Sequence, residues 1–219
     1  MIHSLIDHTL LMPTATEKQI TTLCNEAIEH SFFSVCVNPT YIATCAALLK
    51  NSGVKVCTVI GFPLGANTTA VKVFETENAV ENGADEIDMV INIGHALDGK
   101  WSEIEKEIAA IKTACQGRLL KVIFETCLLA DEQIAKLCEI SKQAGADFVK
   151  TSTGFSTGGA TEEHIRLMRT CVGNEMGVKA SGGVRTQVIA QTMIDAGASR
   201  IGTSAGVSIV NGTEAKSGY

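Results

Sequence analysis

Glycine punctuates this chain: Gly53, Gly83, Gly117, Gly145, Gly177 and Gly197 recur at spacings of 30, 34, 28, 32 and 20 residues. Most stand between a helix-like segment and a short apolar run. Glu81-Asn82-Gly83-Ala84-Asp85 precedes Glu86-Ile87-Asp88-Met89-Val90-Ile91, and Lys142-Gln143-Ala144-Gly145-Ala146-Asp147 precedes Phe148-Val149-Lys150. Glycine just past a helix end is a usual C-cap, because it takes up the left-handed conformation without a Cβ clash. Helix, glycine and strand, repeated about every 30 residues, make the βα unit.

Strands are expected at 5–9, 33–37, 55–60, 86–91, 119–125, 148–151, 177–180 and 200–202. Helical patterns lie between them at 17–30, 69–82, 102–115, 131–144, 162–171 and 187–196. Thr16, Ser102 (with Glu105 three residues on) and Thr161 (with His164 three on) stand where N-caps belong. Eight βα units in about 200 residues fit a single-domain (β/α)8 TIM barrel at the short end of its size range. A doubly wound open sheet is the alternative. The barrel is expected over 1–210, and 211–219, where periodicity is lost, reads as a C-terminal tail.

Composition narrows the partners. Of 219 residues, 45% are hydrophobic and 19% charged, which allows a sizeable core. A net charge of −6 argues against nucleic acid or an anionic membrane as the main partner. The N-terminus carries Asp7 and His8 rather than a basic segment followed by an apolar stretch, so no signal peptide is expected. No apolar run approaches the roughly 18 residues of a membrane span. Eight cysteines, spread without a Cys-x-x-Cys pair, suit reduced thiols and a cytoplasmic location.

In such a barrel the chemistry belongs at the carboxyl ends of the strands. Lys150 ends the run Ala146-Asp147-Phe148-Val149-Lys150 and opens a loop rich in Ser, Thr and Gly; Lys179 holds the same place in Gly177-Val178-Lys179-Ala180-Ser181-Gly182-Gly183. Lysine is depleted in strands and is seldom buried unpaired. One strand-end lysine is more often exposed or salt-bridged than catalytic. Two together suggest a site where one ammonium depresses the pKa of the other, and a neutral amine attacks carbonyls. Strand alternation puts Asp88, Val90 and Asn92 on one face, Lys121, Ile123 and Glu125 on another, and Lys179 with Ser181. Asp7 and Cys36 are further candidates at strand ends. For Lys121 a structural ion pair is the better reading, and for Cys36 plain packing.

Gly182-Gly183 and Gly202-Thr203-Ser204 follow the seventh and eighth strands, where barrels often bind phosphate. Glycine there lets backbone N–H groups approach an anion, and a helix starting near Thr203 would add its positive end. Gly154, Gly182, Gly183, Gly202 and Ser204 are the candidate phosphate contacts, with ordinary tight turns as the plainer account. The five histidines have no paired-ligand spacing, so no metal is expected. Walker loops and dinucleotide fingerprints are absent, which leaves nucleotide readings without support.

Taken together, Ile6-Asp7-His8-Thr9-Leu10-Leu11, Gly61-Phe62-Pro63-Leu64-Gly65, Leu120-Lys121-Val122-Ile123-Phe124-Glu125-Thr126, Lys150-Thr151-Ser152-Thr153-Gly154-Phe155 and Lys179-Ala180-Ser181-Gly182-Gly183-Val184-Arg185 resemble the deoxyribose-phosphate aldolases, class I Schiff-base enzymes, over nearly the whole chain. The resemblance implies reversible cleavage of 2-deoxy-D-ribose 5-phosphate to D-glyceraldehyde 3-phosphate and acetaldehyde. It makes Lys150 the Schiff-base lysine, Lys179 the second lysine that tunes it, and Asp88 part of a water-mediated proton relay. Neither metal nor organic cofactor is implied. Partners are then a small sugar phosphate and an aldehyde, and any homo-oligomer is expected to be a dimer. Met12 departs from the family pattern, where a lysine often follows the paired leucines. Cys36 matches a site-proximal cysteine of some members, open to reaction with aldehydes. Tyr219 matches a terminal tyrosine that in some relatives reaches the site, a frayed tail being the competing reading. The rivals are a sugar-phosphate isomerase or epimerase using Asp88 as acid/base, a non-catalytic sugar-phosphate-binding barrel, and a Schiff-base aldolase with another donor.

Overall fold

A computed structural model describes residues 1–213. Eight parallel strands close into a barrel in chain order: β1 (Ile6–Leu10), β2 (Ser34–Val37), β3 (Lys55–Ile60), β4 (Glu86–Val90), β5 (Leu119–Ile123), β6 (Phe148–Lys150), β7 (Gly177–Ser181) and β8 (Arg200–Thr203). Around them lie α1 (Glu17–Glu29), α2 (Ile42–Leu48), α3 (Thr69–Glu81), α4 (Ile93–Leu97), α5 (Trp101–Ala114), α6 (Asp131–Gln143), α7 (Glu162–Val172), α8 (Gln187–Asp195) and α9 (Gly206–Asn211). The expected (β/α)8 barrel is the fold. Among the described residues no helix is long and apolar enough to cross a membrane.

Strand alternation divides the molecule into two interiors. Residues such as Ile87, Met89, Leu120, Val122, Val149, Val178 and Ile201 point outward into one continuous apolar shell beneath the helices. Helix spacing supplies the other half: α7 buries Ile165, Met168 and Val172, one stripe of the helix, and leaves its polar side to water. Between these shell residues in sequence stand Glu86, Asp88, Lys121, Lys150, Lys179 and Arg200, all buried and joined by ion pairs within the barrel. The apolar core therefore lies between sheet and helices, and the barrel's own interior is ionic.

Local chemistry sets the element ends. The Thr16 hydroxyl accepts from the Gln19 N–H while the Gln19 side chain accepts from the Thr16 N–H, a reciprocal cap. Thr161 caps α7 through the His164 N–H. Ser102 does not cap α5, which begins one residue earlier, after Lys100. The last helix starts at Gly206, not near Thr203. Short α2 and α4 were not expected: seven and five residues are too few to display a 3.6-residue period. At the strand starts, the Arg200 guanidinium lies 3.4 Å from the Phe33 ring centroid and 5.3 Å from that of Phe148, closing the amino-terminal end of the barrel.

Candidate active site

Register brings the expected lysines side by side. Asp88 is level with Lys121 across β4 and β5, and Lys150 is level with Lys179 across β6 and β7. Their side chains converge on one carboxylate. Lys150 Nζ and Lys179 Nζ each donate to Asp88 Oδ2 at 2.8 Å, and Lys121 Nζ donates to Oδ1 at 2.7 Å. Lys179 also pairs with Asp7 Oδ2 at 2.5 Å, and Lys121 with Glu86 at 2.6 Å. Arg200 completes the set, bonding Asp7 at 2.8 Å and Glu86 at 3.0 Å. Gly202 has a part here: a Cβ on it would lie 2.9 Å from Lys179 Cε, so its missing side chain makes room for that lysine.

Charges so deeply buried persist only because each is compensated. Burial opposes the charge of Asp88, yet Lys121, Lys150 and Lys179 hold its carboxyl well below the usual carboxylate range. Burial likewise opposes the charge of Asp7, and Lys179, Arg200 and Lys121 outweigh it. For Lys179, burial pulls downward, but Asp7 and Asp88 raise the ammonium above its ordinary value, so it stays charged. Of the three lysines, Lys121 and Lys179 are each held by two or more carboxylates, whereas Lys150 pairs with Asp88 alone and is slightly exposed. Lys121 is a structural ion-pair residue, as its sequence position suggested.

Above Lys150 opens a cleft at the carboxyl ends of the strands. Its wall includes Lys150, Gly154, Gly182, Gly183, Gly202 and Ser204, so every candidate phosphate residue shares one cavity with the strand-end lysine. Gly182, at φ +82°, is packed so that a Cβ would come within 2.9 Å of Gly159 Cα. The Gly154 loop is bound to this turn: Ala160 N–H donates to the Ser181 and Gly182 carbonyls, and the Ser181 hydroxyl to the Ser152 carbonyl at 2.6 Å.

Other expected residues fall elsewhere. Asn92 does not continue the Asp88 face; the strand ends at Val90 and the Asn92 side chain caps α4 through the His95 N–H. Glu125 lies beyond the end of β5, in a left-handed conformation. Asp7 belongs to the ionic layer beneath the cleft. Cys36 is fully buried in a small apolar cluster with Leu11, Cys57 and Val59. Its thiol is lowered from the ordinary value by a hydrogen bond with Cys57, which outweighs burial. Cys36, Cys57 and Asp88 place three potential ligand atoms within 4.8 Å of one another. The charges of Lys121 and Lys179 on Asp88 make this poor ground for a cation. Tyr219 lies outside the described residues.

Sequence reasoning missed Glu86, Arg200 and Arg185. Glu86 is two residues before Asp88 and so on its face, and Arg200 opens an otherwise apolar strand; attention to strand ends passed over both. Arg185 is exposed, lines the cleft and follows Gly182-Gly183 closely, which was a readable signal for an anion contact.

Comparison with known proteins agrees with this geometry. The family profile described as DeoC/LacD family aldolase matches residues 1–212. A protein named deoxyribose-phosphate aldolase 1 from Vibrio vulnificus is 74% identical over 207 residues, covering 94% of both chains. A deoxyribose-phosphate aldolase of a Geobacillus species is 59% identical over 219 residues, covering 100% of this chain and 98% of its own. Among solved structures, the deoxyribose phosphate aldolase of Aeropyrum pernix, described as tetrameric, superposes with a TM-score of 0.90 at 37% identity, covering 96% of this chain and 89% of that one. The chain belongs to the DeoC/LacD family of aldolases.

Proposed function

We propose that this protein is a class I aldolase that reversibly cleaves 2-deoxy-D-ribose 5-phosphate to D-glyceraldehyde 3-phosphate and acetaldehyde, with Lys150 as the Schiff-base lysine. The observation that carries the reading is the shared carboxylate oxygen: the amines of Lys150 and Lys179 both stand 2.8 Å from Asp88 Oδ2, buried beneath the cleft that Lys150 lines. The ion-paired layer holds four cations, Lys121, Lys150, Lys179 and Arg200, against three carboxylates, Asp7, Glu86 and Asp88. It balances when one amine gives up its proton. Lys150, with the fewest partners and access to the cleft, is the member placed to meet the substrate.

The neutral Lys150 amine adds to C1 of the open-chain sugar, and loss of water leaves an iminium. The C3 hydroxyl loses its proton, the C2–C3 bond breaks, and the electron pair flows to the iminium nitrogen, giving glyceraldehyde 3-phosphate and an enamine. Protonation at C2 and hydrolysis release acetaldehyde and the free lysine. Lys179 keeps its charge beside the reacting nitrogen, and Asp88 moves protons through a water between the two lysines. The backbone of Gly154, Gly182, Gly183 and Gly202 with Ser204 takes the phosphate, and Arg185 neutralises it. No metal or organic cofactor enters this scheme. A homodimer is the assembly we propose, to be read from the mass in solution.

Borohydride reduction in the presence of 2-deoxyribose 5-phosphate, followed by peptide mass mapping, tests the reading. An adduct on Lys150 is the expected result. Active, folded protein that yields no adduct would move a sugar-phosphate isomerase using Asp88 to first place.

A further inference from the structure

Four residues other than glycine have positive φ among the described residues: Ser31, Asn51, Gln116 and Glu125. The first three are exposed and sit just past helix ends, where such a conformation is common. Glu125 differs in every respect. It follows a strand, its backbone is at φ 60°, ψ 60°, and it is 2% exposed. Among the described residues its carboxylate makes no ion pair, and burial pushes its pKa up despite the hydrogen bonds from Thr153 and the attraction of Lys150. A strained backbone and a buried acid without a close cation at one position both work against stability. Strain of this kind concentrates at functional sites.

What Glu125 holds is the segment that follows Lys150. Both carboxylate oxygens accept from the Thr153 N–H at 3.3 Å, and the Thr153 hydroxyl donates to Oε2 in a short bond. The Thr153 hydroxyl in turn accepts from the Phe155 N–H at 3.0 Å. Thr126 N–H donates to the Thr151 carbonyl at 2.9 Å, so the chain on both sides of the carboxylate is tied down. Phe155 then meets the Phe62 ring edge-on at 5.4 Å. The opposite side of the loop is bound to the Gly182 turn. Thr153 and Gly154 share the cleft wall with Lys150.

We propose that Glu125 is a positioning residue: its carboxylate clamps Thr153, and through it residues 151–155, so that Lys150 and the phosphate turn keep one spacing. This rests on the aldolase reading of Lys150. It assigns to Glu125 a gain in turnover obtained at a loss of stability, a split that a purely structural residue does not show.

The test compares wild type, Glu125→Gln, Thr153→Val and the double variant in the full chain. Glu125→Gln keeps shape but removes the buried charge and half the acceptor capacity. We expect kcat/KM for 2-deoxyribose 5-phosphate to fall about tenfold, the loss of one charge-assisted hydrogen bond, while Tm near neutral pH is unchanged or higher. Thr153→Val should lower kcat/KM similarly, and the double variant should be no worse than the poorer single, because the two residues act as a unit. Borohydride trapping at Lys150 should persist in all four proteins. A kcat/KM that falls only in step with Tm, additive losses in the double variant, or wild-type kcat/KM in both single variants would each overturn the clamp while wild-type trapping leaves the aldolase reading standing. Wild-type protein that traps nothing overturns both.

Discussion

Three buried lysines share Asp88, and their neighbours separate their roles. Lys121 supports both Glu86 and Asp88, at 2.6 and 2.7 Å, so its loss would leave two carboxylates short of a partner. Lys150 touches Asp88 alone, and Asp88 keeps Lys121 and Lys179 without it. Lys121→Met should therefore destabilise the protein by about 3 kcal/mol or more, the usual result of breaking a buried pair. Lys150→Met should abolish turnover yet shift stability by less than about 1 kcal/mol. Urea melts of the two variants check the order; equal losses would contradict this account of the cluster. Asp88, Lys150 and Lys179 were legible in the sequence because charge within an apolar strand is conspicuous, although only Lys150 ends its strand; Asp88 and Lys179 stand in the middle of β4 and β7. Glu86 and Arg200 were not, since the same charge at a strand start reads as an ordinary exposed turn.

At the level of elements, the loop joining β3 to α3 is tied to itself and to the helix that follows it. Gly65 N–H donates to the Gly61 carbonyl at 2.7 Å, Gly61 N–H donates to Glu75 at 2.9 Å, and buried Lys72 reaches Glu107 and the Val90 carbonyl at 2.7 and 2.8 Å. A Cβ on Gly65 would lie 1.8 Å from the Ile91 carbonyl oxygen, with φ at +67° besides. Gly65→Ala should cost about 3 kcal/mol or more and reduce kcat, because Phe62 in that loop packs beside Cys36 and Phe155. Thr16→Ala, which removes a cap and no residue of the cleft wall, should cost about 1 kcal/mol and leave kcat unchanged. Thermal melts with turnover assays on both variants distinguish the two kinds of element end. Strands and long helices were legible to within a few residues from apolar period and glycine position. The end of β5 was not: Phe124 and Glu125 continue its alternation, and the turn is imposed by Thr153, 28 residues away.

For the molecule as a whole, the ionic interior fixes how stability follows pH. Asp7 and Asp88 are held below the carboxylate range, so their contribution is present above the unfolded value of about 3.9 and is lost as pH falls below it. Lys179 is held above its ordinary value, so its contribution is complete below about 10.4 and is lost as pH rises beyond it. Tm measured against pH should show a broad plateau from about 4 to about 10, and Asp7→Asn should lower it and bring in both edges. An Asp7→Asn curve that is merely displaced, with the same edges, would show that the pairs are not the source. The barrel's closure was legible from eight repeated βα units; its division into apolar shell and ionic centre was not, because pairing among strands depends on register. That division has a thermal consequence. Stripping water from an ion becomes less unfavourable as temperature rises, whereas burial of apolar surface levels off in what it contributes. Warming therefore weakens the two interiors unequally, and the charged centre around Asp88 should be the last part of this barrel to lose its hold.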